Sequence, residues 1–336
     1  MTSGEGGVPV VIVAGPTASG KSALALALAE ALGGTVINAD SMQVYRELRI
    51  LTARPTPAEE ARAPHRLYGV LPAAEVCSAG RWRALALAAI GEAHGAGRLP
   101  VVTGGTGLYL RALMRGIAPV PEIPPAVRAA AAAAHARLGG EEFRRRLAAR
   151  DPDAAARIRP SDRQRLIRAW EVIEATGRPL SAWQAMREAD PENGLRDGLR
   201  FLPLLLMPPR GALYAACDAR LLRMIEAGAL DEVAALDRLG LDPALPAMKA
   251  LGVPELRRHL AGETPLAAAV AAAQQATRNY AKRQLTWFRH QLPEAWRLDA
   301  QFSESITPRI LPIVRRFWLT PAGRSTSLAS LPSGIP

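Results

Sequence analysis

The chain has 336 residues, 49% of them apolar, enough for a substantial core in one large α/β domain with an insertion, or in two domains. Its net charge of +11 favours a polyanionic partner, and its two cysteines, Cys77 and Cys217, exclude a disulfide framework and a Cys-based zinc site. No apolar run approaches the ~18 residues of a membrane span, and the N-terminus carries no basic segment leading into an apolar run, so a cytoplasmic protein without membrane contact is expected.

The first element is an apolar β-branched run, residues 8–14, which reads as a buried parallel strand. It leads into Gly15-Pro16-Thr17-Ala18-Ser19-Gly20-Lys21-Ser22 and then an Ala/Leu-rich helix to Leu32. Strand, Gly-rich turn and helix in that order, with the spacing G-x-x-x-x-G-K-[ST], describe a phosphate-binding loop. Glycines let the backbone wrap closely, and amide N–H groups converge on a phosphate at the positive end of the helix. Lys21 is placed to reach the terminal phosphate, and Ser22 to put its hydroxyl on Mg²⁺. Only three of the 42 basic residues are lysine, which marks Lys21 as a position where a compact ammonium is wanted in place of a guanidinium fork.

Residues 35–39 form a short second strand ending at Asp40-Ser41-Met42-Gln43. Ligand crevices in open α/β sheets lie beyond the carboxyl ends of the strands. Asp40 therefore reads as a general base or a water-mediated Mg²⁺ contact, or as the N-cap of a following helix. Residues 50–70, rich in proline, read as an active-site loop in which His65 serves as a hydrogen bonder. Trp82 to His94 is a helix. Arg98 to Thr103 is a third strand, followed by Gly104-Gly105-Thr106-Gly107, a second Gly-rich turn with Thr106 offering a hydroxyl. That strand ends without the acidic residue that ATP hydrolysis asks for, so an ATP motor is disfavoured.

The Pro-rich run 118–125 marks a hinge into an Ala/Arg-rich helical stretch ending near 189, broken at Gly139-Gly140, Pro152, Pro160 and Gly177-Arg178-Pro179. Within it Gln164, Arg165 and Arg168 share a helix face suited to a polyanion, solvated helix faces being the alternative. A strand returns at 201–207. The next helix carries Arg220, read either as a phosphate contact or as a partner of Asp218 or Glu226. Residues 264–293 contain no acid and read as one long helix, where Thr277, Arg278, Lys282, Arg283 and Gln284 interleave with aromatics as on a nucleic-acid-facing surface, with Trp287 expected in the core.

These segments together resemble the tRNA dimethylallyltransferase (isopentenyltransferase) family. The resemblance rests on GPTASGKS at 15–22, DSMQVYR at 40–46, APHRLYGV at 63–70, GGTGLYLRAL at 104–113, DRQRLIRAWEV at 162–172 and ATRNYAKRQLTWFR at 276–289, in order along about residues 10–290. It implies an α/β, P-loop NTPase-like parallel sheet core with a mostly helical insertion: core 8–118, basic insertion 119–199, return to the core with C-terminal tRNA-facing helices 200–318, and a disordered tail 319–336. It implies transfer of a dimethylallyl group from dimethylallyl diphosphate to N6 of adenosine 37 beside the tRNA anticodon, with diphosphate released and the P-loop holding the prenyl diphosphate. Asp40 then matches the general base, Thr106 a contact near the reacting carbon, and Arg220 a diphosphate contact. Asp40, Ser41, Met42, Gln43, Thr106, Arg128, Gln164, Arg165, Arg168, Lys249, Gly252, Thr277, Arg278, Lys282, Arg283 and Gln284 fall in tRNA-contacting segments, and the expected partner is the anticodon stem-loop, met by a monomer. Three positions depart from the family pattern: Ala216 where an arginine is usual, leaving that contact absent or supplied by Arg210 or Arg223; Leu51 where a glycine is usual; and Val253 where a tyrosine is usual. The competing readings are a P-loop small-molecule or nucleotide kinase and an RNA-binding protein without catalysis.

Overall fold

The computed structural model describes residues 7–189 and 198–320. Of the disordered tail expected over 319–336, Leu319 instead ends the helix Thr307–Leu319, and residues 321–336 lie outside the described ones. The chain divides into two compact units, residues 1–114 with 198–336, and residues 115–197.

The first unit is built on six parallel strands: β1 (Val8–Ala14), β2 (Thr35–Asn38), β3 (His65–Arg66), β4 (Pro100–Gly104), β5 (Leu199–Leu206) and β6 (Trp296–Leu298), in the order β3-β2-β4-β1-β5-β6. β1 is central, and its side chains alternate between two cores. Val10, Ile12 and Ala14 face one apolar layer, Val11 and Val13 the other. Burial on both faces explains why β1 reads as a continuous β-branched run and not as an alternating one. The helix Lys21–Leu32 packs on one face together with the helix Thr307–Leu319, whose Ile310, Val314 and Phe317 are buried. The other face carries the helices Ala79–Gly95, Arg210–Glu226 and Leu266–Gln291. Pro203 interrupts β5 one residue before the β6 pairing begins at Leu204, in the stretch flanked by β1 alone, where a missing N–H is tolerated.

Two expectations change. The 50–70 stretch is not loop throughout. Thr56 and Glu59 form a reciprocal capping box that starts a short helix, Pro57–Arg62, and His65–Arg66 adds an edge strand. Trp287 is only half-buried; Phe288, fully buried, takes the core position on that helix.

The second unit is helical, as the composition indicates. Phe143, Leu147, Leu166, Ala169 and Ile173 make its core, with His135, Phe143 and Trp170 rings in contact. Its helix Pro125–Ala148 is broken at Gly139 (φ 73°), and a Cβ on Gly140 would fall 2.1 Å from the Pro160 carbonyl oxygen. Asp151, wholly buried, ties two helix starts by accepting from Ala154 N (3.0 Å) and Ser181 N (3.1 Å).

Candidate active site

The P-loop closes the carboxyl end of β1. Ala18 (φ 62°) and Gly20 (φ 86°) are both left-handed, which turns the chain into the helix Lys21–Leu32. A Cβ on Gly20 would lie 2.5 Å from Phe302 Cβ, so glycine is required there for space as well as conformation. The loop is strapped from three sides. Gln284, on the long Leu266–Gln291 helix, accepts from Thr17 N (2.8 Å) and donates to Gly105 O (2.8 Å). Arg220 donates to Thr17 Oγ1. Phe302 N donates to Ser19 O (3.1 Å), and the Gln301 amide donates to Ala18 O (3.0 Å).

Lys21 is half-buried at the start of its helix, and its ammonium donates to Pro16 O (3.4 Å). Burial pulls its pKa down from 10.5 to about 8, Arg220 pulls it further the same way, and Asp40 opposes. Burial also lowers the Arg220 pKa, with Asp40 again opposing; a guanidinium stays charged nonetheless.

Asp40 lies at the end of β2. No helix follows, so it is not a helix N-cap. One carboxylate oxygen accepts from Met42 N (2.9 Å) in an Asx turn, and Asn38 Oδ1 accepts from Asp40 N (2.8 Å). Thr106 stands opposite: its hydroxyl accepts from Ser41 N (2.9 Å) and donates to Ser41 Oγ (3.2 Å). The two strand ends approach so closely that a Cβ on Gly104 would lie 2.2 Å from the Ala39 backbone. Tyr280 is half-buried near Asp40 and Thr106, and its poor solvation raises its pKa, so the phenol keeps its proton. In the sequence Tyr280 is one of the aromatics interleaved with the basic residues of this helix, and its place beside Asp40 is not legible there because one aromatic among Arg, Lys and Gln looks the same on either side of a helix.

Beside the loop opens a cleft of about 650 Å³. Lys21, Ser22, Arg220 and Arg223 line it, with Arg49 and Arg54 across from them and Ile50, Met224 and Phe302 as apolar wall. Glu232 holds the 49–51 turn in place, its carboxylate accepting from Arg49 N (2.6 Å), Ile50 N (2.7 Å) and Leu51 N (2.9 Å). Leu51 needs no left-handed backbone; its buried side chain packs against Gly252, itself at φ 91°. That accounts for a leucine where a glycine is usual. Val253 is wholly buried in the core at the start of the helix Val253–Leu260.

The other expected residues divide by exposure. Arg128, Gln164, Arg165, Lys249, Lys282 and Arg283 are exposed. Arg165 pairs with Asp162 (3.4 Å), and Arg168 with Glu171 (2.7 Å). Lys249 donates to Ala244 O (2.6 Å), and Arg278 pairs with Asp218 (2.6 Å). Three polar side chains expected at an RNA surface are turned inward instead. Thr277 (5% exposed) bonds its own helix at Ala273 O, Gln43 (9%) donates to Thr52 O and Ala53 O, and Gln284 (6%) braces the P-loop. An interleaved basic helix hides this, because the polar residue facing inward is invisible without its partners. Arg220 pairs with neither Asp218 nor Glu226. His65 Nδ1 meets Ala63 O (2.8 Å), a loop hydrogen bond as expected.

A parallel sheet with a Gly-rich G-x-x-x-x-G-K-[ST] loop at the end of its central strand, a carboxylate at another strand end and a second Gly-rich turn opposite defines a P-loop NTPase-like α/β protein. Residues 43–291 match the family described as IPP transferase, and residues 8–71 that described as isopentenyl transferase. The chain is 65% identical over 291 residues to the tRNA dimethylallyltransferase of Rhodospirillum centenum, covering 87% of this chain and 91% of that one. It is 53% identical over 312 residues to that of Paramagnetospirillum magneticum, covering 93% and 98%. Among solved structures it is similar to the full-length tRNA isopentenylpyrophosphate transferase of Bacillus halodurans (TM-score 0.66, 32% identity, 93% and 96% covered). It is also similar to a eukaryotic dimethylallyltransferase acting on tRNA (TM-score 0.78, 26% identity, 92% and 79% covered). The chain belongs to the IPP transferase family.

Proposed function

We propose that the chain transfers a dimethylallyl group from dimethylallyl diphosphate to N6 of adenosine 37 in the anticodon loop of tRNA, releasing diphosphate. Family membership supports a prenyltransferase acting on tRNA over a kinase, as does a β4 that ends in glycines, Thr103 giving its hydroxyl to Val13 O (3.1 Å). The observation that carries the reading is the joining of two half-sites: Gln284 binds Thr17 N of the P-loop and Gly105 O of the second Gly-rich turn, whose Thr106 hydroxyl accepts from Ser41 N, next to Asp40.

The adenine N6 attacks the allylic carbon while the carbon–oxygen bond to diphosphate breaks, and the N6 proton passes to Asp40. The Asx turn leaves one Asp40 oxygen without a hydrogen-bond partner among the described residues, free to accept that proton. Thr106 holds the neighbouring Ser41 through its backbone N–H and hydroxyl, and Asn38 and Met42 bond Asp40 itself, which fixes the position of the base. Lys21 and Arg220 stabilise the charge that develops on the leaving diphosphate. The donor set fits Mg²⁺: Ser22 lines the cleft, and no cluster of three His, Cys, Asp or Glu exists among the described residues, as suits an ion held mostly by diphosphate oxygens and water. When bound there, the ion would neutralise part of the diphosphate charge.

An adenine in a single-stranded loop unstacks at small cost, which suits a base that must leave its stack to reach Asp40. Exposed Lys282, Arg283 and Lys249 on the core unit, and Arg128, Gln164 and Arg165 on the helical unit, supply phosphate contacts. No helix among the described residues is long and apolar enough to cross a membrane. A cytoplasmic reaction on a monomer is part of the same proposal. Incubation with labelled dimethylallyl diphosphate and unmodified tRNA tests the reading. Label in the RNA supports it; unlabelled RNA together with phosphate transfer from ATP overturns it in favour of the kinase.

A further inference from the structure

The cleft beside the P-loop contains five cations, and four of them are already committed. The Lys21 ammonium donates to Pro16 O (3.4 Å). Arg220 donates to Thr17 Oγ1. Arg49 donates to Pro55 O (2.7 Å), and Arg54 to Arg46 O (3.2 Å), both within the loop that Glu232 anchors. The fifth, Arg223, lies one turn beyond Arg220 on the helix Arg210–Glu226, so both side chains project from one face into the same cleft. The Arg223 guanidinium has no hydrogen-bond or ion-pair partner among the described residues, and its charge acts unfavourably on Arg220. Two like charges on adjacent turns, with no acid between them, cost energy until an anion bridges them.

The helix carries a second arginine outside the cleft that does not share this property. Arg210 is exposed, donates to Tyr214 Oη (2.9 Å) and stacks on that ring (5.0 Å to its centroid). One turn before Arg220 the cleft is lined by Ala216, a small uncharged side chain.

We infer that Arg223 is the second guanidinium of the diphosphate clamp, meeting the distal phosphoryl group while Lys21 and Arg220 hold the one nearer the P-loop. The inference rests on the proposed transfer from a prenyl diphosphate, and it names which residue sets affinity for that substrate. An exposed arginine at the cleft mouth pairs with a phosphate through a fork of two N–H donors, which lysine cannot reproduce.

The test uses the full chain and inorganic diphosphate as probe, by titration calorimetry with Mg²⁺ present, alongside steady-state transfer to tRNA. Arg223→Ala is expected to weaken diphosphate binding about tenfold and to raise KM for dimethylallyl diphosphate similarly, with KM for tRNA unchanged. Arg223→Lys should recover only part of the loss. The double variant Ala216→Arg with Arg223→Ala should restore affinity, since an arginine at 216 reaches the same cleft from the preceding turn; a merely structural role for Arg223 would not be rescued this way. Arg210→Ala should leave both quantities unchanged. Wild-type binding with Arg223→Ala binding equally well overturns the inference alone. A wild-type protein that binds no diphosphate overturns the proposed function beneath it.

Discussion

Gln284→Leu removes one side chain that joins the two Gly-rich turns. The amide accepts from Thr17 N and donates to Gly105 O, both at 2.8 Å, in a position only 6% exposed. Leucine fills similar volume but satisfies neither group. Each buried backbone group left unpaired costs about 1–3 kcal/mol, so the variant should lose about 2–6 kcal/mol of stability. That is a large share of the 5–15 kcal/mol typical of a domain. Urea unfolding followed by tryptophan fluorescence measures it, and the transition of the core unit should shift while that of the helical unit does not. Affinity for diphosphate should fall as well, because Thr17 N loses its fixed orientation. Gln284→Glu provides a graded control: one oxygen still accepts from Thr17 N, while the other confronts the Gly105 carbonyl. A Gln284→Leu protein of unchanged stability, with only its KM for tRNA raised, would refute the bracing role and restore the residue to the RNA surface.

The pKa of Lys21, about 8 in the free cleft against 10.5 ordinarily, sets a pH window for substrate binding. Below about 8 the ammonium is present before the diphosphate arrives; above it each bound diphosphate must bring a proton, so affinity should fall about tenfold per pH unit and calorimetry should detect proton uptake. The terminal phosphate ionises near about 6 and contributes nothing in that window. In the free protein the same burial costs stability, fully below about 8 and not at all above 10.5, so the unliganded fold should gain stability between those values. Asp40→Asn keeps the Asx turn through its side-chain carbonyl but cannot take up the N6 proton; transfer should drop by at least 10²-fold while tRNA binding, read by filter retention, persists. Replacing Arg165 and Arg168 together with alanine should reduce the salt slope of tRNA binding by about 1–2, and an unchanged slope would mean that they face only solvent.

The parts of the molecule most legible in the sequence are those where one local pattern has one physical meaning. β1 reads as a doubly buried strand because Val10 to Ala14 leave no polar face, and the P-loop reads as an anion site because only glycine fits at Gly20 against Phe302. Asp40 and Thr106 were legible as strand-end residues, and the structure brings them together through Ser41. What the sequence hides is partnership at long range. Gln284 lies 267 positions from the residue it braces, and Glu232 closes the 49–51 turn from 181 to 183 positions away. The Pro57–Arg62 helix was missed because its signal, a capping box over six residues, is short enough to vanish among prolines. Leu51 is a departure from the family pattern in the sequence, and its partner Gly252 lies 201 positions further on.

The central claim is that one site joins a prenyl diphosphate cradle to a base that deprotonates an RNA amine. Its most direct test is nucleoside mass spectrometry of tRNA incubated with the enzyme, Mg²⁺ and dimethylallyl diphosphate, with the modified position mapped by nuclease fragments. The account predicts one dimethylallyl group on N6 of adenosine 37, formed with one equivalent of diphosphate and absent with Asp40→Asn. A dimethylallyl group at another position, or undiminished transfer by Asp40→Asn, would contradict it.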